Sequence, residues 1–260
     1  MNPHSAAPGS AGVALVTGGS RGIGAATCLL AARRGWAVAV NYAANAAAAD
    51  KLVQQIQAAG GTAIAVQGDV AIEADILRIF KTVDEQLGHI GRIKALVNNA
   101  GVVDVACRVE AMSAARLKRM FDINVMGSFL CAREAVLRMS TKHGGTGGVI
   151  VNLSSVAARL GGPNQYIDYA ASKGAIDTFT TGLAKEVATE GVRVNAVRPG
   201  IIDTDIHASG GEPDRARLLA PQVPVQRPGT AMEVAEAIVW LMGEESSYCN
   251  GAFIDVSGGR

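Results

Sequence analysis

Short runs of aliphatic and β-branched residues alternate along the chain with longer stretches whose apolar positions recur every three or four residues. The short runs are Val13 to Thr17, Ala37 to Asn41, Thr62 to Gln67, Ile93 to Asn98, Val149 to Leu153, Val192 to Arg198 and Phe253 to Val256. Continuous apolar runs of this length predict strands covered on both faces. Between them, Gly22 to Arg34, Ala46 to Ala59, Ile72 to Leu87, Arg108 to Met112, Ser113 to Met139, Asp168 to Thr189 and Thr230 to Met242 carry the helical period. Gly35 and Gly60-Gly61 stand where helix C-caps are expected. Strand and helix in regular alternation predict one α/β domain over residues 13–260. Its core is a doubly wound parallel sheet of about seven strands with helices on both faces. Residues 1–12 are small and polar and read as a loose tail. Ile201 to Pro228, with Gly210-Gly211 and four prolines, breaks the alternation and reads as a lid over a site.

Composition narrows the class. Hydrophobic residues make up 49% of the 260, enough for a large core, and the net charge of +1 gives no footprint for nucleic acid or an acidic membrane. No apolar run approaches a bilayer span, and the first residues lack the pattern of a signal peptide. Cys28, Cys107, Cys131 and Cys249 are scattered without CxxC spacing, as expected of free thiols in a reducing cytoplasm. The four histidines are equally dispersed, so no metal site is expected.

Two patterns carry chemistry. Tyr169 and Lys173 are four residues apart within a predicted helix, which stacks their side chains on one face. An ammonium beside a phenol favours the phenolate, so the tyrosine pKa is expected to fall from about 10, toward the range where it can exchange a proton with a substrate oxygen. The second pattern is Thr17-Gly18-Gly19-Ser20-Arg21-Gly22-Ile23-Gly24, between the first strand and the first helix. Glycines there permit a tight turn and close backbone approach, and the helix N-terminus behind it suits a pyrophosphate.

Together with Asn98-Asn99-Ala100-Gly101, Asn124, Ser155, Tyr169 to Lys173 and Pro199-Gly200, these motifs resemble the short-chain dehydrogenase/reductase family, from about Val13 to Gly258. The resemblance implies a Rossmann fold and an oxidoreductase that interconverts a carbonyl and a secondary alcohol, as in beta-ketoacyl-carrier-protein reductases and glucose-type dehydrogenases. It implies that Tyr169 is the general acid/base, that Ser155 holds the reacting oxygen and that Lys173 tunes the tyrosine and binds the nicotinamide ribose. Asn124 would steady a water that links the lysine to solvent. The cofactor would lie against Gly18, Ser20, Arg21, Gly22, Ile23 and Gly24, with Asp69 and Val70 at the adenine, and Asn98, Ala100 and Gly101 beside its ribose. Pro199, Gly200, Ile202 and Thr204 would wrap the carboxamide. An acid at the end of the second strand would repel a 2′-phosphate. Asn41 stands there instead and Arg21 lies nearby, so NADP(H) is favoured, with NAD(H) open.

Ser154 is the rival of Ser155, and only one of two adjacent strand residues can face the site; the resemblance selects the second. Ser155 lies fourteen positions before Tyr169, one more than is usual in the family, which implies an insertion within Gly161 to Asp168. Tyr166 is a rival phenol but has Ala170, not lysine, four residues on. Substrate choice is assigned to Val102 to Arg108, Ala157 to Asp168 and the lid, where Arg159 and Arg217 are cations that could meet an anion. The resemblance also implies a homotetramer, with a dimer open. A cofactor-binding sensor without chemistry is disfavoured because Asn124, Ser155, Tyr169 and Lys173 are all present.

Overall fold

Seven parallel strands form the sheet in a computed structural model of the chain, which describes residues 11–204, 210–212 and 214–260. In chain order they are β1 (Val13–Val16), β2 (Ala37–Tyr42), β3 (Ala63–Gln67), β4 (Ile93–Asn98), β5 (Gly148–Leu153), β6 (Val192–Pro199) and, at the end of the chain, β9 (Phe253–Val256). Their spatial order is β3-β2-β1-β4-β5-β6-β9. The helices are α1 (Gly22–Arg33), α2 (Ala46–Ala58), α3 (Glu73–Leu87), α4 (Ala114–Phe121), α5 (Gly127–Met139), α6 (Ala157–Leu160), α7 (Ile167–Glu186), α8 (Arg215–Leu219) and α9 (Ala231–Met242). Residues alternate across the strands. Ala14, Val16, Val38, Val40, Val97 and Val151 pack with α1, α2 and α9. Leu15, Ala39, Leu96, Ile150 and Val194 pack with α3, α5 and the end of α7. Both faces are therefore covered, which is why the strands read as unbroken apolar runs. The chain winds one way from β1 to β3 and the other way from β4 onward, so a crevice opens at the C-terminal ends of β1 and β4.

Departures from the expected elements are local. Arg108 to Met112 holds only a 3₁₀ turn, Val109–Ala111. The helix expected from Ser113 to Met139 is divided by a π-helical turn, Asp122–Met126, between α4 and α5. Such a turn adds one residue to the helical repeat, and a periodicity argument passes over it. The helix expected to reach Thr189 ends at Glu186 and is followed by a 3₁₀ turn, Ala188–Glu190. The lid is not irregular throughout. Its two ends pair as short parallel strands, β7 (Ile202–Asp203) and β8 (Gly229–Thr230), and α8 lies between them. Residues 1–10 of the expected tail, and residues 205–209 and 213 of the lid, lie outside the described residues.

Candidate active site

The glycine-rich turn is fixed from below. Thr17 Oγ1 accepts the N–H groups of Asn99 and Ala100, both at 3.0 Å. Asn99 Nδ2 donates to the carbonyls of Thr17 (2.8 Å) and Gly18 (3.0 Å). Gly18 and Gly22 adopt φ of 59° and 52°, a region side chains rarely enter. A Cβ on Gly24 would lie 2.6 Å from Asn99 Nδ2, and one on Gly19 would lie 2.9 Å from Val16 O. No side chain caps α1 at Arg21, so the first N–H groups of that helix remain available to an anion. Ser20 and Ile23 are half-buried, and Arg21 is exposed.

Two of the expected cofactor contacts, Asn41 and Asn98, and the expected catalytic residue Asn124 have side chains bonded within the fold. Asn41 is buried: its Oδ1 accepts Gly18 N–H (3.2 Å) and its Nδ2 donates to the carbonyls of Val66 and Gly68. It props the glycine turn from beneath and does not face outward from the end of β2. Asn98 is also buried and donates to Ser128 O and Asn152 Oδ1. Asn124, in the π-helical turn, accepts Val102 N–H at 2.8 Å and donates to Val102 O and Ser172 Oγ. Its side chain braces the segment after β4. Strand and helix position does not reveal such inward turns. Asp69 accepts Ala71 N–H in the loop after β3, and Val70 is buried there.

A cavity of about 400 Å³ opens at the C-terminal ends of the strands. It is lined by Ile23, Gly101, Ser155, Tyr169 and Lys173, and on the lid side by Pro199, Gly200, Ile202 and Thr204. Thr204 also lies over the turn, where a Cβ on Gly22 would meet its Cβ at 3.5 Å. The strand alternation separates the serines. Ser154 Oγ turns under α7 and donates to Asp177 at 2.6 Å. Ser155 is hydrogen-bonded to Tyr169 and accepts Ala157 N–H. Tyr166 forms cavity wall; its hydroxyl donates to Glu212, and Arg215 stacks on its ring. Gly161, Gly162 and Asn164, in the loop between α6 and α7, all have left-handed backbone.

Lys173 is buried one helical turn after Tyr169, with Nζ donating to Leu153 O at 2.7 Å and lying 5.6 Å from the Tyr169 ring centre. Burial pulls its pKa down to about 8, against the pull of Asp177 in the other direction. The expected fall in the Tyr169 pKa is not found. Burial raises it, and the hydrogen bond with Ser155 only partly offsets this. Removal from water outweighs the neighbouring ammonium, whose charge is itself weakened by burial.

Nearly the whole chain aligns with known proteins on the same plan. A family model described as Enoyl-(Acyl carrier protein) reductase matches residues 18–260. An uncharacterised oxidoreductase of Escherichia coli is 54% identical over 95% of this chain and 99% of its own. A 3-oxoacyl-[acyl-carrier-protein] reductase of Synechocystis is 41% identical over 96% and 97%, and glucose 1-dehydrogenase 2 of Bacillus subtilis is 35% identical over 95% and 93%. A solved short-chain dehydrogenase/reductase from Serratia marcescens superposes with a TM-score of 0.86 at 33% identity, over 97% of this chain and 99% of that one. This chain belongs to the short-chain dehydrogenase/reductase family.

As a short-chain dehydrogenase/reductase it is an oxidoreductase of carbonyl and alcohol groups, and its family binds NAD or NADP. The bare glycine cradle and the uncapped start of α1 fit the pyrophosphate of such a cofactor. Several residues that shape the site escaped the sequence reading. Asn99 locks the turn. Asp168 is fully buried and paired with Arg116 at 2.7 Å; Arg116 also donates to Val105 O, which ties the start of α7 to the segment after β4. Asp177 pairs with Arg198 at 2.8 Å and stands four residues after Lys173, a spacing that could have disclosed it. Arg159 and Arg217, read as candidate anion contacts, are paired with Asp255 and Asp214. Among the described residues no cluster of metal-ligating side chains occurs, and no helix is long and apolar enough to cross a membrane.

Proposed function

We propose that this short-chain dehydrogenase/reductase is an NADP(H)-dependent enzyme that interconverts a carbonyl and a secondary alcohol, with Tyr169 as general acid/base. The observation that carries the reading is the convergence of Tyr169, Ser155 and Lys173 in one cavity at the open ends of the strands. A nicotinamide cofactor held against the glycine turn would supply the hydride chemistry when bound. Tyr169, whose pKa burial raises from the ordinary phenol value, gives its proton to the carbonyl oxygen. Ser155 donates to the same oxygen as negative charge grows there. Lys173, whose Nζ lies 5.6 Å from the Tyr169 ring centre in the cavity lining, would hold the ribose of a bound nicotinamide cofactor. Asn124 keeps Gly101 and Val102 in place beside it. A Cβ on Gly101 would lie 3.4 Å from Asn124 Oδ1 and 3.5 Å from Lys173 Nζ.

Arg21 supports NADP(H): it is exposed at the turn, and Asn41-Tyr42-Ala43-Ala44-Asn45 supplies no acid to repel a 2′-phosphate. Leu117, Phe121, Met126, Phe129 and Leu137 are large apolar residues exposed along α4, the π-helical turn and α5, and they support burial against a second copy in a homotetramer. The free buried thiols of Cys28 and Cys131 support a cytoplasmic setting.

The test is a carbonyl screen with both reduced cofactors, with Tyr169→Phe as control. Turnover should fall by about 10²-fold or more in the variant while cofactor affinity holds. Near-normal turnover by Tyr169→Phe would overturn the assignment, and tighter binding of NADH than NADPH would overturn the cofactor choice.

A further inference from the structure

Arg260 is a cation in the active-site cavity that neither the motifs nor the family resemblance identified. It follows β9 through Ser257-Gly258-Gly259. Gly258 and Gly259 have φ of 63° and 93°, so the chain turns sharply. A Cβ on Gly258 would lie 2.6 Å from Val225 Cγ2, and one on Gly259 would lie 3.1 Å from Pro224. Val225 N–H donates to Gly258 O, and Ser257 Oγ donates to Arg260 O. The lid base thus clamps the turn, and the turn sends Arg260 into the wall of the cavity that holds Tyr169 and Ser155.

Arg260 Nη1 is buried there and has no hydrogen-bond partner among the described residues. Arg260 also lines the cavity, and a guanidinium without an acceptor is costly to hold away from water, so an acceptor brought to its cavity side offsets that cost. The other lining cations are engaged. Lys173 donates to Leu153 O, and Arg215 is held by Glu212 and Gln165. Among the described lining residues there is no aspartate or glutamate, and much of the wall is apolar, with Val156, Leu160, Pro163 and Ile201 among its residues.

We infer that Arg260 binds a carboxylate on the substrate, and that the enzyme prefers small oxo acids, or the matching hydroxy acids, in which a short apolar chain joins the carboxylate to the reacting carbon. The inference rests on the Tyr169 reading, which places the carbonyl at the other polar point of the same cavity. A carboxylate matches the planar guanidinium better than a neutral ester does. A cavity of about 400 Å³ suits a small molecule that spans both points.

The test uses the protein saturated with NADPH and compares acetoacetate, levulinate and 5-oxohexanoate with their methyl esters, in the natural protein and in Arg260→Ala and Arg260→Lys. For at least one pair, the acid should be preferred by about tenfold or more in kcat/KM. Arg260→Ala should lower kcat/KM for that acid by about 10- to 100-fold, mainly through KM, with the ester changed less than about twofold. Arg260→Lys should keep part of the preference. Calorimetric titration with the unreactive acids butanoate and pentanoate should give binding that Arg260→Ala removes. Equal loss on acid and ester, no loss on either, or carboxylate binding unaffected by the substitution would overturn the inference. So would an NADPH affinity that falls in Arg260→Ala, since the arginine would then serve the cofactor. Reduction of the esters without any preference for the acids leaves the Tyr169 reading standing and defeats this one. If neither acids nor esters are reduced, the oxo-acid preference is refuted, the Tyr169 reading is still decided by the carbonyl screen with Tyr169→Phe, and the calorimetric arm decides whether Arg260 is an anion site.

Discussion

Two neighbouring serines show how much one side-chain direction decides. Ser154 is tied to Asp177 under α7 and Ser155 faces Tyr169. Ser155→Ala should reduce turnover by about 10²-fold through loss of a donor to the developing oxyanion. Ser154→Ala should leave turnover within a few-fold and cost about 1 kcal/mol of stability. Steady-state kinetics and urea denaturation separate the two effects, and a reversed pattern would move the reacting oxygen to Ser154. Lys173 offers a test in pH. Its pKa is about 8 in the fold against 10.5 as a free side chain. Below pH 8 both folded and unfolded chains carry the charge, and the fold bears the full cost of burying it. Between pH 8 and 10.5 the folded chain has released a proton that the unfolded chain still holds, so stability rises with pH. Relative to Lys173→Met, the natural protein without cofactor should therefore gain on the order of 3 kcal/mol over that window. Parallel stability curves for the two proteins would show that Lys173 is not held in this way.

At the scale of elements, the strands and most helices were legible because burial on both faces leaves a continuous apolar signature. The π-helical turn was not, since its extra residue leaves the apolar period nearly unchanged. The site was legible to the extent that backbone placement settles it: glycines in the turn, Tyr169 and Lys173 on one helix face, Ser155 on a strand end. Inward rotations of polar side chains were not legible. Asn41 illustrates the difference, for a position at a strand end carries no mark of whether its amide faces solvent or three backbone groups below the turn. The consequence can be measured. Asn41→Asp replaces the donor to Val66 O and Gly68 O with a buried carboxylate. It should lower stability by about 2–4 kcal/mol and weaken NADH and NADPH alike by loosening the turn. A selective gain for NADH at unchanged melting temperature would instead place Asn41 at the ribose.

For the whole molecule, the exposed apolar band on α4 and α5 points to association. Phe129 is 42% exposed, although its ring stacks on Phe179 with centroids 3.8 Å apart. Phe129→Glu should shift sedimentation toward smaller species. An unchanged sedimentation coefficient would remove this band from the assembly.

The strand order has a consequence for how the chain is made. After β1, β2 and β3 have paired, β4 adds beside β1, β5 beside β4, β6 beside β5 and β9 beside β6. Each new strand joins a free border of the growing sheet and none has to be inserted between two that already pair. A chain emerging from the ribosome N-terminus first can thus build its sheet in the order of synthesis. The lid emerges after six of the seven strands and the turn that carries Arg260 after β9, so the wall formed by that turn is added only when every strand of the sheet has been made.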